Sequence, residues 1–118
     1  NTKNLDLFHN KMKMVKEEAS SWGGKIVFIY IPEARKYETF ELFNIIPDYP
    51  YSSRKEVLDI IKKIHLPIID LQKSTFNVKY GRIISKYGGH FNEKGYRLVS
   101  DIIYNELSSY YNLNILSN

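Results

Sequence analysis

The sequence predicts a layered α/β protein, and three observations carry that expectation. A segment with helical apolar period runs into a double glycine and then a continuous β-branched run. A second helical segment is followed by another short apolar run, and the chain closes on an amphipathic helix reached through a glycine-rich loop. The order helix, strand, helix, strand, loop, helix suits parallel strands covered by helices. A sheet of two strands is thin, so the pattern reads as part of a larger sheet.

Taking the elements in order, Leu5, Phe8, Met12, Val15, Ala19 and Trp22 recur at alternating steps of three and four. That spacing lines one face of a first helix. Gly23 and Gly24 end it, because glycine tolerates the left-handed backbone found just after a helix. Residues 26–31 are uninterrupted apolar or aromatic side chains closed by Pro32, which predicts a strand buried on both faces. Over residues 33–53 no clean period appears. Pro47, Asp48 and Pro50, with Tyr37, Tyr49 and Tyr51, predict a long surface excursion there.

Ser53 and Glu56 then have the spacing of a capping box, and Val57, Leu58, Ile61 and Ile64 supply the apolar face of a second helix. Residues 66–71 predict a second short buried strand, and residues 72–89 a loop containing Gly81, Gly88 and Gly89. Asn92 is placed as the N-cap of the last helix, with Leu98, Val99, Ile102, Ile103 and Leu107 facing inward. The tail over residues 112–118 is expected to fray.

Composition narrows the function classes. A chain of 118 residues suits one domain, and 43% hydrophobic content with 25% charge is that of an ordered globular protein. The net charge is +4, with lysines spread along the chain apart from the short clusters Lys11 and Lys13, and Lys62 and Lys63. Nucleic-acid binding usually shows a denser basic footprint, which argues against a nucleic-acid partner. The absence of cysteine excludes disulfides, thiolate metal sites and a cysteine nucleophile. No apolar run approaches the ~20 residues of a membrane span, and no signal peptide is visible. The chain opens on Asn1 rather than methionine, which suggests a processed product with sequence upstream.

Among candidate chemical groups His90 stands first. An imidazole can act as a general base near neutral pH, and loops beyond the carboxyl ends of strands are where open α/β sheets build their sites. Gly88 and Gly89 before it would let a substrate approach. Spacing alone also allows a plain polar loop residue at a helix start. His9 and His65 read as solvated or partly buried structural residues, and the three histidines lack metal-ligand spacing. Asp70 could reach a site from a strand end or simply cap a turn. Tyr37, Tyr49, Tyr51, Tyr80 and Tyr87 could line a carbohydrate- or base-stacking surface, or serve as amphipathic cover for a small core. Ser20, Ser21, Ser52, Ser53 and Ser74 are present, but none sits in a strand–turn–helix elbow that would activate it.

Three stretches together resemble the C-terminal half of the SGNH (GDSL-type) hydrolases: "GGKIVFIYIPEARKY", "HLPIIDLQ" and "GGHFNEKGYRLVSDIIYNEL". The resemblance covers most of the chain, and its most specific part is the histidine block at residues 88–107. It implies a three-layer flavodoxin-like parallel sheet flanked by helices, with residues 1–118 forming a single domain or the C-terminal part of one. It implies His90 as general base, with Gly89, Asn92 and Tyr87 as substrate-binding neighbours, and no cofactor or metal. The activity implied is ester hydrolysis or O-acyl transfer on a small ester or an O-acylated carbohydrate. The resemblance also leans toward an extracytoplasmic or cell-envelope setting.

Two departures from the family pattern matter. The Gly-Asp-Ser-like block and the oxyanion glycine and asparagine have no match here, and the resemblance places them before Asn1. The carboxylate usual three residues before the histidine is replaced by Tyr87, which cannot orient the imidazole by charge; Glu93 is close in sequence, though its position equally favours the start of the last helix. A non-catalytic binding or scaffold module of the same fold therefore stands beside the enzyme, and a small basic nucleic-acid-binding module stands third. A dimer partner or an N-terminal half is expected to cover the exposed sheet edge.

Overall fold

A computed structural model of the chain describes residues 2–34, 36–37, 53–76, 82–86 and 89–111. Among the described residues, four helices and two strands follow in order: α1 (Thr2–Ser21), β1 (Phe28–Tyr30), α2 (Arg54–Lys63), β2 (Ile68–Asp70), α3 (Leu71–Phe76) and α4 (Glu93–Tyr111). The architecture is mixed α/β, mostly helical, with β1 and β2 paired as a parallel sheet. The backbone divides into two compact units, one made of Asn1–Ile29 with Tyr49–Ile68, the other of Tyr30–Asp48 with Ile69–Asn118. Among the described residues, no helix is long and apolar enough to cross a membrane.

In the first unit Ile61, Ile64 and Leu66 are buried at the end of α2, and Phe8 and Met12 of α1 pack against them with Ile26, Phe28 and Ile68. Phe8 meets Phe28 edge to face, with ring centroids 6.2 Å apart, the geometry aromatic quadrupoles favour. The Phe28 N–H donates to the Pro67 carbonyl at 2.9 Å, which starts the strand pairing.

Both helices of this unit end in the same way. After α1, the Gly24 N–H donates to the Ala19 carbonyl at 2.8 Å and the Gly23 N–H to Ser20 at 3.2 Å. Gly23 adopts φ 77°, so this is a Schellman motif with glycine in the left-handed position. After α2, the Leu66 N–H donates to Ile61 at 3.3 Å and the His65 N–H to Lys62 at 3.0 Å, again the paired bonds of a Schellman motif. Here the left-handed residue is His65, at φ 57°, whose Cβ crowds the neighbouring carbonyl. Lys16 of α1 completes this end by donating from Nζ to the Ile64 carbonyl at 2.6 Å. His65 is thus an exposed helix-ending residue.

In the second unit the buried core is Tyr37, Ile83, Ile84 and Leu98, with Ala34, Phe91 and Ile102 packed against it. Two polar contacts tie the 36–37 segment to α3. Lys36, itself buried, donates from Nζ to Gln72 Oε1 at 3.1 Å, and the Thr75 hydroxyl and the Tyr37 phenol are hydrogen-bonded at 2.9 Å. Along α4, Leu98 and Val99 are buried and Ile102, Ile103 and Leu107 half-buried, which is the face the sequence periodicity assigns.

Several expectations need correction. The first strand is Phe28–Tyr30, shorter than residues 26–31, and half-buried along its length; Ile31 is exposed. Val15 and Trp22 of the α1 apolar series are exposed, so the inward face of that helix is narrower than its periodicity suggests. Ser53 precedes α2, yet its side chain makes no cap hydrogen bond. Its backbone (φ −85°, ψ 15°) lies outside the extended conformation that aims an N-cap hydroxyl at the helix N–H groups. Leu71 does not end a strand but opens α3, so residues 71–76 are helix rather than strand end and loop. Tyr37 is core rather than surface aromatic. The expectations for Tyr49, Tyr51, Tyr80, Tyr87, Gly81 and Gly88, for most of residues 33–53, and for the tail fall outside the described residues.

Replacing His65 with glycine removes the left-handed Cβ clash at α2's end. His65→Gly is expected to raise unfolding stability by about 0.5–1 kcal/mol, measured by urea denaturation. A loss of stability would show that the His65 side chain contributes more than its backbone strain costs.

Candidate functional site

The strongest constellation lies in the second unit, where residues 82–86 and 89–96 are laced together. Ile84 and Phe91 form an antiparallel bridge, flanked by the Ser85 N–H donating to His90 O and the Asn92 N–H donating to Ile83 O, both at 2.8 Å. Asn92 then does two further things. Its Oδ1 accepts the Gly95 N–H at 2.9 Å, capping α4, and its Nδ2 donates to the Arg82 carbonyl at 2.8 Å. The cap satisfies an otherwise orphan N–H of the first turn, and the second bond locks that turn onto the preceding chain.

Gly95 explains how close this docking is. A Cβ there would collide with the Ile83 carbonyl oxygen and press on the Phe91 ring, so only glycine fits without a shift. Phe91 is also held from both sides, edge-on to Tyr37 at 5.5 Å and to Tyr96 at 5.8 Å between ring centroids. His90 is therefore an exposed side chain on a backbone fixed at the residue after it by a bridge, an aromatic cluster and a helix cap. Its Nδ1 lies 3.4 Å from the Phe91 carbonyl, long for a hydrogen bond.

A cavity of about 310 Å³ opens beside the imidazole. Its walls are mainly apolar, with Ile31, Pro32, Ile84, Phe91 and Val99 among them, and Gly89, Tyr37 and Tyr96 also contribute. A Cβ on Gly89 would sit 3.5 Å from the Ala34 Cβ, an ordinary contact, so a small side chain is sterically admissible there. Burial pushes the Tyr37 phenol up from 10.0 to about 12, against a smaller opposing effect of the Thr75 hydrogen bond.

The other expected residues are dispersed or engaged elsewhere. Glu93 pairs with Arg97 one turn along α4, at 2.8 Å, rather than with His90. Among the described residues no carboxylate hydrogen-bonds His90. Asn92 has both ends of its amide occupied and does not line the cavity. Asp70 Oδ1 accepts the Lys73 N–H at a long 3.4 Å, the turn-capping role that was its alternative reading. Ser21 and Ser74 donate to the backbone carbonyls of Glu18 and Asp70. Among the described residues no cluster of His, Asp and Glu could hold a metal ion. His9 lies in the first unit, where it lines a separate cleft with Lys13, Lys16 and Lys63.

Sequence reasoning missed Tyr37 and Phe91 as the supports of the loop. Tyr37 sits in a stretch without periodicity, and it is buried with Ile83, Ile84 and Leu98 and hydrogen-bonded to Thr75, which is 38 positions away. The motif position of Gly95 was a usable signal, since a glycine in the first turn of an otherwise good helix marks close backbone approach.

No family model, curated protein or solved structure matches the chain.

Two outcomes follow from this geometry. Asn92→Ala removes both the cap and the tie to Arg82, and is expected to cost about 1–2 kcal/mol in thermal unfolding, with faster amide exchange at Gly95. Because the phenol of Tyr37 is raised in the fold, its share of stability is complete below the ordinary tyrosine range and is lost as pH climbs from 10.0 to about 12. Unfolding stability measured across that window should fall less steeply in Tyr37→Phe, which has no proton to lose there.

Proposed function

We propose that this chain is the histidine-bearing part of an SGNH-like ester hydrolase or O-acyltransferase, with a three-layer flavodoxin-like sheet in the complete domain. The observation that carries the reading is His90: an exposed imidazole on a braced loop at the mouth of a mainly apolar cavity. The histidine block "GGHFNEKGYRLVSDII" supports it, because the cap, the close-packed glycine and the helix that follow give that block a structural reason.

In this reading a proton on Nδ1, directed at the Phe91 carbonyl, leaves the Nε2 lone pair for base work. A serine hydroxyl supplied from outside the described residues attacks the ester carbonyl carbon while Nε2 takes its proton. The tetrahedral intermediate then breaks its bond to the alkoxy oxygen, and the imidazolium returns the proton to the departing alcohol. Water activated by the same imidazole releases the acid from the acyl-serine, or a second alcohol takes the acyl group. The apolar cavity walls suit the acyl part of a small ester or an O-acylated carbohydrate. The chemistry needs no cofactor.

A binding module of the same fold is the second reading. It is favoured by the lack of any carboxylate at hydrogen-bond distance from His90 among the described residues, since an imidazolium formed in catalysis would have no anionic partner there.

The test is ester turnover and labelling by a serine-directed fluorophosphonate in the full gene product. His90→Ala is expected to lower turnover by about 10²–10⁴-fold with the fold intact by circular dichroism. Undiminished turnover would remove His90 from the mechanism. Absence of labelling and turnover in the parent protein, with carbohydrate binding that survives His90→Ala, would transfer the assignment to the binding module.

A further inference from the structure

The first helix carries a second apolar stripe that the fold leaves outside. Leu7, Met14, Val15 and Trp22 are 56%, 59%, 47% and 70% exposed, and they are four of the seven large apolar side chains exposed among the described residues. At 100° per residue they share one arc of α1 and its C-terminal turn, apart from the inward arc of Phe8, Met12 and Ala19. Within the same arc lie Lys11 and Glu18, both exposed and, among the described residues, neither in an ion pair, while Lys13 and Glu17 lie 4.0 Å apart as a pair on the same helix.

The order of these six residues is self-complementary. Placing a second copy of the helix antiparallel, with the two-fold axis between Met14 and Val15, sets Leu7 against Trp22, Lys11 against Glu18 and Met14 against Val15. In each pair the residue numbers have the same sum, which is the condition for a single antiparallel register. Every apolar residue then meets an apolar one, and each lysine meets a glutamate, twice by symmetry. An isologous contact demands this self-matching, whereas an unrelated partner does not. The stripe runs for about 22 Å along the helix, four turns of contact.

We propose that this face of α1 is the contact of a symmetric antiparallel dimer of this chain. Trp22 caps each end of the contact. Its ring lies over the helix-ending turn, where a Cβ on Gly24 would stand. Trp, and Met beside it, belong to the residue types that fill the cores of protein interfaces. The Lys11 and Glu18 pairs lie along the middle of the arc, between the apolar pairs, and set the direction and register of the contact. The inference is independent of any role for His90.

The experiment is sedimentation velocity on the full chain from about 1 to 100 µM, a range spanning ordinary weak dimers. The parent protein is expected to dimerise. Lys11→Glu alone and Glu18→Lys alone each set like charges opposite one another twice, and each is expected to raise the dissociation constant about tenfold. The double variant Lys11→Glu with Glu18→Lys restores opposite charges and is expected to return to within about threefold of the parent. Met14→Asp, placed at the axis on an exposed site, is expected to be monomeric with unchanged circular dichroism. A parent that stays monomeric throughout, a dimer indifferent to both charge reversals, or a double variant no better than the singles would each overturn the proposal.

Discussion

Asn92 is the constraint on which the second unit's site depends. One amide side chain closes the α4 N-terminus through Gly95 and ties it to the Arg82 carbonyl, while its backbone N–H donates to Ile83. These bonds join the last helix to a segment ten residues earlier without a regular sheet between them. An alanine there would leave an exposed helix end and a loose loop together, because both bonds belong to the same group. Gly95 then allows a contact that no side chain could share, and Phe91 fills the space under it.

The position of His90 follows from this arrangement. The residue after it is a half-buried aromatic packed on the core, its own carbonyl accepts from Ser85, and its imidazole is exposed. A side chain anchored only through its backbone neighbours keeps a defined place while remaining open to a ligand, which is what a general base or a binding histidine needs. The cavity alongside is mainly apolar, so a ligand placed there would be held by shape and by burial of carbon rather than by charge. That is compatible with acyl groups and less so with strongly anionic ligands.

In the first unit the same economy appears in backbone form. Two helices end in one hydrogen-bond pattern, but one uses glycine and the other histidine at the left-handed residue. The Lys16 ammonium on a carbonyl at α2's end adds the positive charge that the negative pole of a helix favours. Meanwhile α1 spends only part of its apolar surface on the core, and the remainder stands outside as a stripe with its own charge pattern.

Much of this was legible in the sequence by itself. Helical period located α1, α2 and α4, Gly23 marked the first helix end, and Asn92 with the apolar positions of α4 was read as a capped amphipathic helix, because these features depend on neighbours within one or two turns. The mixed α/β class followed from the same local signals. What only the tertiary structure decided lies at longer range: that Tyr37 is buried against Thr75, that Val15 and Trp22 of an apparently continuous apolar face point out, and that Ser53 has capping spacing without the backbone angle to use it. Burial is set by which surfaces meet, and a hydrogen bond by where two distant segments bring donor and acceptor. Periodicity records that a side chain is apolar; it carries no record of which partner will cover it.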